Sequence, residues 1–373
     1  MKPIAMVDLY SQYIAIKSEI DQAIQRVIDS SQFIKGPEVE AFENELAQYL
    51  DIPYVISCAN GTDALMICLR AMGIQPGDEI IVPTFTFIAT AEVIALLGAT
   101  PVFADIYPET FNLDTRQLES LITQRTRAIM PVHLFGLCAD MESIMQVAQK
   151  YSLYVIEDVA QALGATCTYH GKIYKAGTIG HMAATSFFPS KNLGCFGDGG
   201  AIFTRDETLA RKARLIANHG AEKKYYHLTL GVNSRLDAIQ AAILRVKFRY
   251  LDSYLIKRRK AASHYFNLLS DVNYIQLPNP SEYHTFNQYT VIVKDGLRDK
   301  LQNHLQQHKV PTAIYYPLPL HRQPAFRYLN YSEGSMPVAE RLSQQVLSLP
   351  MHTELDEDQI EYISKKVREF FQS

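Results

Sequence analysis

The chain has no tryptophan, no C-x-x-C pair, no apolar run of bilayer length and no marked excess of charge. All but the first of these absences close a class of function. The five cysteines (Cys58, Cys68, Cys138, Cys167 and Cys195) are odd in number and far apart. They read as free thiols in a reducing compartment, with no zinc or other metal site. No stretch approaches the roughly 20 apolar residues that cross a bilayer. The first segment, "MKPIAMVDLYSQYIAIKSEI", lacks the apolar core and cleavage site of a secretory signal. The expected location is the cytoplasm, with no membrane partner. The formal net charge is −3 and the basic residues are scattered, so no electrostatic footprint for nucleic acid is expected. There is no G-x-x-x-x-G-K-[ST], no G-x-G-x-x-G after the first strand and no G-x-S-x-G elbow. The missing tryptophan, set against 22 tyrosines, carries no functional message.

What is present is a regular alternation. The 373 residues suffice for one large and one small domain, each with a core. "SEIDQAIQRVIDS" has helical periodicity, and Pro37 suits the first turn of a helix over "PEVEAFENELAQYL". Short β-rich runs follow at "YVISCA", "DEIIVP", "TPVFADI", "RAIMPVHLFG", "LYVIEDVA", "ATSFFPS" and "GAIFT". Helical segments such as "GTDALMICLRAM", "ATAEVIALLG" and "CADMESIMQVAQKY" separate most of them. That pattern predicts an α/β fold with a mostly parallel sheet covered on both faces. The last two runs are joined by a glycine-rich loop alone, which predicts one antiparallel strand. From Arg235, "RLDAIQAAILRVKFRYLDSYLIKRRKAASHYFNLL" reads as one long helix, straight or bent, leading into a small α+β domain. The expected division is 1–245 and 246–373. "YYHLTLGVNSR" has no period and reads as a loop.

Ligands of open α/β sheets bind beyond the carboxyl ends of the strands, and the unusual residues fall there. Gly61 and Thr62 open a helix after the first strand; they suit a phosphate, or Asn60 or Thr62 simply caps the helix. Asp158 ends an apolar strand and needs a cationic or hydrogen-bonding partner if buried, unless it is an ordinary cap. Strand alternation points Glu157 the other way. Phe85 and Phe87 follow a strand and suit either the core or a flat ring. Ser186 precedes Lys191 in "TSFFPSKNLGCFGDGGAIFT", where a lysine sits among apolar and glycine residues. A lysine so placed calls for a shifted pKa or a chemical role. A phosphate cup, an aromatic, an acid and a lysine, in that order, together suit pyridoxal 5'-phosphate. That cofactor takes a lysine as Schiff base and an acid at its pyridine nitrogen.

The segments "FIKGPEVEAFENELAQYL", "CANGTDAL", "PGDEIIVPTFTFIATAEVIALLGATPVFADI", "IEDVAQALGA", "TSFFPSKNLGCFGDGGAIFT", "GVNSRLDAIQAAIL" and "YYPLPLHRQPAF" resemble the DegT/StrS-type pyridoxal-phosphate-dependent nucleotide-sugar aminotransferases over nearly the whole chain. The resemblance implies the type I, aspartate-aminotransferase-like fold and a homodimer with shared active sites. It implies that Lys191 binds the cofactor covalently and that Asp158 pairs with its ring nitrogen. Gln161 then contacts the hydroxyl side of the ring, Phe87 lies against the ring, and Gly61, Thr62 and Ser186 hold the phosphate. Asn233 reaches the phosphate region from the other subunit, with Arg235 near the same interface. Lys35, Arg235, Tyr316 and His321 are candidate substrate contacts, each equally readable as packing or surface. The implied reaction moves an amino group from L-glutamate to a nucleotide-linked ketosugar, for surface polysaccharide (lipopolysaccharide) or other aminosugar synthesis. The strings around Lys191 and Asn233 look most like members that aminate C3 of dTDP- or UDP-3-ketosugars; a 4-ketosugar is the alternative. Related sugar dehydratases carry histidine at the lysine position. A non-catalytic regulator of the same fold would need a DNA-binding module, for which the chain offers neither a basic arm nor spare length.

Overall fold

The computed structural model describes residues 2–372. Three helices come first: α1 (Leu9–Ala15), α2 (Lys17–Ser30) and α3 (Pro37–Leu50). Pro37 is the first residue of α3, as its fixed φ favours, and Asp51 closes that helix in the left-handed conformation. Then follow β1 (Tyr54–Cys58), α4 (Gly61–Ala71), β2 (Glu79–Pro83), α5 (Ala89–Leu96), β3 (Thr100–Ala104), α6 (Leu118–Leu121), β4 (Thr126–Ile129), α7 (Met141–Tyr151) and β5 (Tyr154–Asp158). A hairpin of β6 (Thr166–Tyr169) and β7 (Lys172–Lys175) precedes β8 (Met182–Ser186) and β9 (Gly200–Thr204).

Seven of these strands form one sheet in the order β1-β9-β8-β5-β4-β2-β3. All neighbours are parallel except β9, which runs antiparallel to both β1 and β8. The predicted antiparallel strand is therefore β9, and it lies inside the sheet. β2 is buried along its whole length, as expected for a central parallel strand packed on both faces.

After β9 come α8 (Glu207–Ile216), a small hairpin of β10 (Ala221–Lys223) and β11 (Tyr226–His227), α9 (Ala238–Phe248) and α10 (Leu251–Leu269). Two expectations change here. The segment around "YYHLTLGVNSR" carries β11 before it loops. The expected long helix breaks into α9 and α10, although neither proline nor glycine marks the break. At the break, Glu19 of α2 accepts from the Arg249 guanidinium at 2.6 Å and from the Tyr250 hydroxyl.

The rest of the chain is β12 (Ile275–Gln276), β13 (Tyr289–Val293), α11 (Arg298–Gln307), α12 (Pro337–Ser343), β14 (Val346–Leu349) and α13 (Glu357–Gln372). β12, β13 and β14 form an antiparallel sheet. It has its own core of Tyr265, Tyr289, Leu301, Leu305 and Ile363, in which the Tyr265 and Tyr289 rings stack at 4.8 Å. α10 spans two cores. Leu251 and Leu255 pack with α2, α3 and α9, while Ala261, Tyr265 and Leu269 belong to the small sheet. The segment between α11 and β14 returns to the large sheet, where the Leu320 N–H donates to the Thr84 carbonyl at 2.7 Å.

Candidate active site

A cavity of about 660 Å³ lies at the carboxyl ends of β1, β5 and β8. Asp158 is the last residue of β5 and is 5% exposed. Its Oδ1 accepts from the Ala160 N–H at 3.1 Å and its Oδ2 from the Thr90 hydroxyl at 2.9 Å. Burial pushes this carboxyl above its ordinary pKa, against the opposing pull of Ala160, Thr90 and the Lys191 charge.

Lys191 faces the same cavity from the loop after β8. Its backbone N–H donates to the Phe188 carbonyl at 2.9 Å. Its amine makes no hydrogen bond among the described residues. Desolvation holds the amine below an ordinary lysine, and Asp158 pulls the other way. The loop that carries it is drawn tight: a Cβ on Gly194 would meet the Pro189 carbonyl oxygen at 2.3 Å. Lys247 of α9 is also buried, and its Nζ donates to the Gly194 carbonyl at 2.5 Å from beneath.

The wall nearest β1 is the start of α4. Asn60 caps the helix, its side chain accepting from the Asp63 N–H at 2.8 Å. The Thr62 hydroxyl is thereby left without a hydrogen bond among the described residues. A Cβ on Gly61 would lie 2.7 Å from the Ser186 Cβ, so only glycine lets the helix terminus and the end of β8 meet. The result is a cradle of helix N–H groups and hydroxyls, suited to an anion.

Gln161 fixes the opposite side. Its Oε1 accepts from the Phe135 N–H at 2.7 Å, so its Nε2 donates to the Tyr316 hydroxyl at 3.1 Å. Burial raises the Tyr316 phenol above its ordinary pKa, which keeps it protonated. The two phenylalanines divide. Phe85 is fully buried, packed against Phe111 and Tyr316, whereas Phe87 is 56% exposed and lines the cavity.

The structure thus gathers Gly61, Thr62, Phe87, Asp158, Gln161, Ser186, Lys191 and Tyr316 around one space. It does not bring the other four candidates there within this chain. Lys35 and Arg235 line a separate cavity of about 390 Å³ beside Arg211 and Arg214. Asn233 is exposed on the adjoining loop. His321 is 3% exposed, with Nδ1 2.7 Å from the Thr84 hydroxyl and Nε2 2.9 Å from Glu340. Both ring nitrogens are occupied, so the imidazole has no free polar atom to offer a ligand. Sequence reasoning passed over Thr90, Phe188, Ser190, Asp198 and Gln288. Thr90 sits unmarked in an apolar helix, and Gln288 comes from the bend just before β13, distant in sequence.

The model of the DegT/DnrJ/EryC1/StrS aminotransferase family matches residues 14–368. The chain belongs to this family. Among curated relatives, the pleiotropic regulatory protein of Geobacillus stearothermophilus is 48% identical, the match covering 99% of this chain and 98% of that one. The UDP-2-acetamido-2-deoxy-3-oxo-D-glucuronate aminotransferase of Pseudomonas aeruginosa is also 48% identical, over 96% of this chain and 98% of its own. The dTDP-3-amino-3,4,6-trideoxy-alpha-D-glucose transaminase of Streptomyces venezuelae is 42% identical over 98% and 96%. Among solved structures, NtdA of Bacillus subtilis with bound cofactor PMP superposes with a TM-score of 0.90 at 32% identity, covering 99% of this chain and 83% of that one. The family fold and the α/β reading of the sequence agree. The family is pyridoxal-phosphate-dependent. The cavity suits that cofactor: an unbonded lysine amine, a buried acid and an anion cradle where a Cβ at Gly61 would not fit.

Proposed function

We propose that this protein transfers an amino group, from L-glutamate, to C3 of a nucleotide-linked ketosugar. One observation carries the reading: in a single cavity, an unbonded lysine amine with a lowered pKa shares space with a buried carboxylate. Lys191 would hold the cofactor, with Asp158 at its ring nitrogen, Gln161 at its hydroxyl side and Phe87 against its face. Gly61, Thr62 and Ser186 would take its phosphate. Pyridoxal phosphate, when bound, supplies the electron sink that an amino acid carbanion needs. The residues do the rest. The depressed pKa leaves the Lys191 amine able to take the Cα proton of the donor and later return a proton to the sugar carbon. Asp158, with Thr90 and Ala160 fixing both its oxygens, keeps a negative charge where a ring N–H must be held. Tyr316, locked as a donor by Gln161, offers its O–H to the cavity.

The names of the Pseudomonas and Streptomyces relatives support a 3-oxo or 3-amino sugar, one linked to UDP and the other to dTDP. The homodimer belongs to the same proposal. Asn233, Arg235 and Lys35 lie outside the Lys191 cavity of their own chain, which suits service in a neighbour's site. The division into domains 1–245 and 246–373 is part of the same proposal, supported by the separate core of the small sheet, with the α9–α10 pair as the joint. A cytoplasmic role in making surface polysaccharide fits the reaction, and among the described residues no helix is long and apolar enough to cross a membrane. The regulatory name of the Geobacillus relative describes that protein; Lys191 and Asp158 favour catalysis here. The test is incubation with glutamate and synthetic 3-keto- and 4-ketosugar nucleotides, with products read by mass and NMR. A 3-amino sugar is the expected product. Amination at C4, or none, overturns the reading.

A further inference from the structure

The proposed reaction leaves one charged side chain of the cavity without a task. Asp198 lines the same cavity as Lys191 and sits on the same glycine loop. It is exposed, whereas Asp158 is buried, so the two acids mark the rim and the floor. The Asp198 carboxylate makes no hydrogen bond or salt bridge among the described residues. Its backbone, by contrast, is pinned on both sides. The Phe196 N–H donates to Gln240 at 2.9 Å, the Cys195 thiol to the Gly197 carbonyl at 3.1 Å, and the Phe187 N–H to the Gly199 carbonyl at 2.7 Å. A free carboxylate on a fixed turn, beside the aromatic walls of Phe87, Phe188 and Tyr315, is placed to meet a ligand.

Its chemistry decides which part of the ligand it meets. A carboxylate only accepts hydrogen bonds, and it repels the diphosphate of a nucleotide sugar. What it can hold is a sugar hydroxyl before the transfer and a protonated amine after it. We propose that Asp198 is a specificity-determining residue that accepts from the sugar hydroxyl next to the carbonyl and from the amino group once formed. This rests on the ketosugar reading. It turns the sugar inward, towards Lys191, and the diphosphate outward.

The test uses the holoenzyme and two variants, Asp198→Asn and Asp198→Ala. The half-reaction with glutamate and the half-reaction with the accepted ketosugar nucleotide are timed separately by absorbance. Binding of the aminated nucleotide sugar is measured by calorimetry. A hydrogen bond to a charged group is worth about tenfold or more. In Asp198→Ala the ratio of sugar to donor rate should fall by about that factor, KM for the sugar should rise, and the product should bind correspondingly more weakly. Asp198→Asn, which keeps the shape, should fall between. A ratio and a product affinity that stay at wild-type values overturn the assignment, as does a parallel fall of both half-reactions, which marks a displaced loop. A wild-type enzyme that aminates no ketosugar nucleotide overturns the ketosugar reading and the role of Asp198 with it. Unchanged variants of a working enzyme overturn Asp198 alone.

Discussion

Glu157 and Asp158 are neighbours on β5, and strand alternation sends them to opposite faces of the sheet. Both carboxylates are buried, yet their surroundings differ. Glu157 accepts from the Gly177, Ile179 and Gly180 N–H groups and from His133 Nε2 at 2.8 Å. The Ala139 N–H donates to His133 Nδ1 at 3.0 Å, which leaves Nε2 to donate to Glu157. Burial alone would raise the Glu157 pKa; the His133 bond and the backbone donors outweigh it and hold the carboxyl below its ordinary value. Asp158 has two donors, faces a cavity and is raised. The same chemical group is a finished fastening on one face and an unfinished site on the other. The lysines repeat the lesson. Lys247 is bonded to a carbonyl, and the Lys191 amine has no hydrogen bond among the described residues.

If the cavity face does the chemistry, Lys191→Ala should cost the most. Transamination should fall by about 10³-fold or more, with the lysine-bound absorbance lost; near-normal turnover would sink the assignment. On the other face, Glu157→Ala strands three backbone donors and a histidine in the interior. It should destabilise the fold by about 3–5 kcal/mol in urea unfolding, while the folded fraction keeps its specific activity. A drop in turnover without a drop in stability would break the contrast between the faces. Asp158→Asn keeps the shape and removes the charge. A rate loss of about 10²-fold is expected, with stability within about 1 kcal/mol of wild type.

The smallest effect is one of pH. The Glu157 pKa is lower in the folded state than unfolded, so its stabilisation is present above the ordinary glutamate value and is lost as pH falls through the folded value. Wild type should therefore exceed Glu157→Gln in stability at neutral pH, and the gap should close under acid. A gap independent of pH would show that the ionised form of Glu157 does not matter.

Much of this was legible from residues alone. Strand and helix periods located the seven sheet strands, and the glycine-rich link between "ATSFFPS" and "GAIFT" gave away the reversed strand. The isolated Lys191 and the terminal Asp158 stood out because apolar company makes a charge conspicuous, and the structure brings both to one cavity. Side chains that act through distant partners left no such trace. Thr90 meets Asp158, and Glu19 meets Arg249 and Tyr250 at the helix break, only after the chain has folded. Asp198 lay in a string read as a glycine-rich loop, which it is; no period tells a loop that lines a cavity from one that faces water. For His321 the sequence left substrate contact and packing equally open, and the structure takes the second, with Thr84 and Glu340 claiming both nitrogens.

The contact between Gly61 and Ser186 joins the start of an early helix to the end of a strand made much later. During synthesis the first half of that cradle leaves the ribosome well before the second. An N-terminal fragment, or a chain stalled before β8, has only half of the proposed phosphate cradle. If the proposed phosphate site is right, cofactor loading waits for β8, and holding the cofactor reports that the chain has folded at least that far.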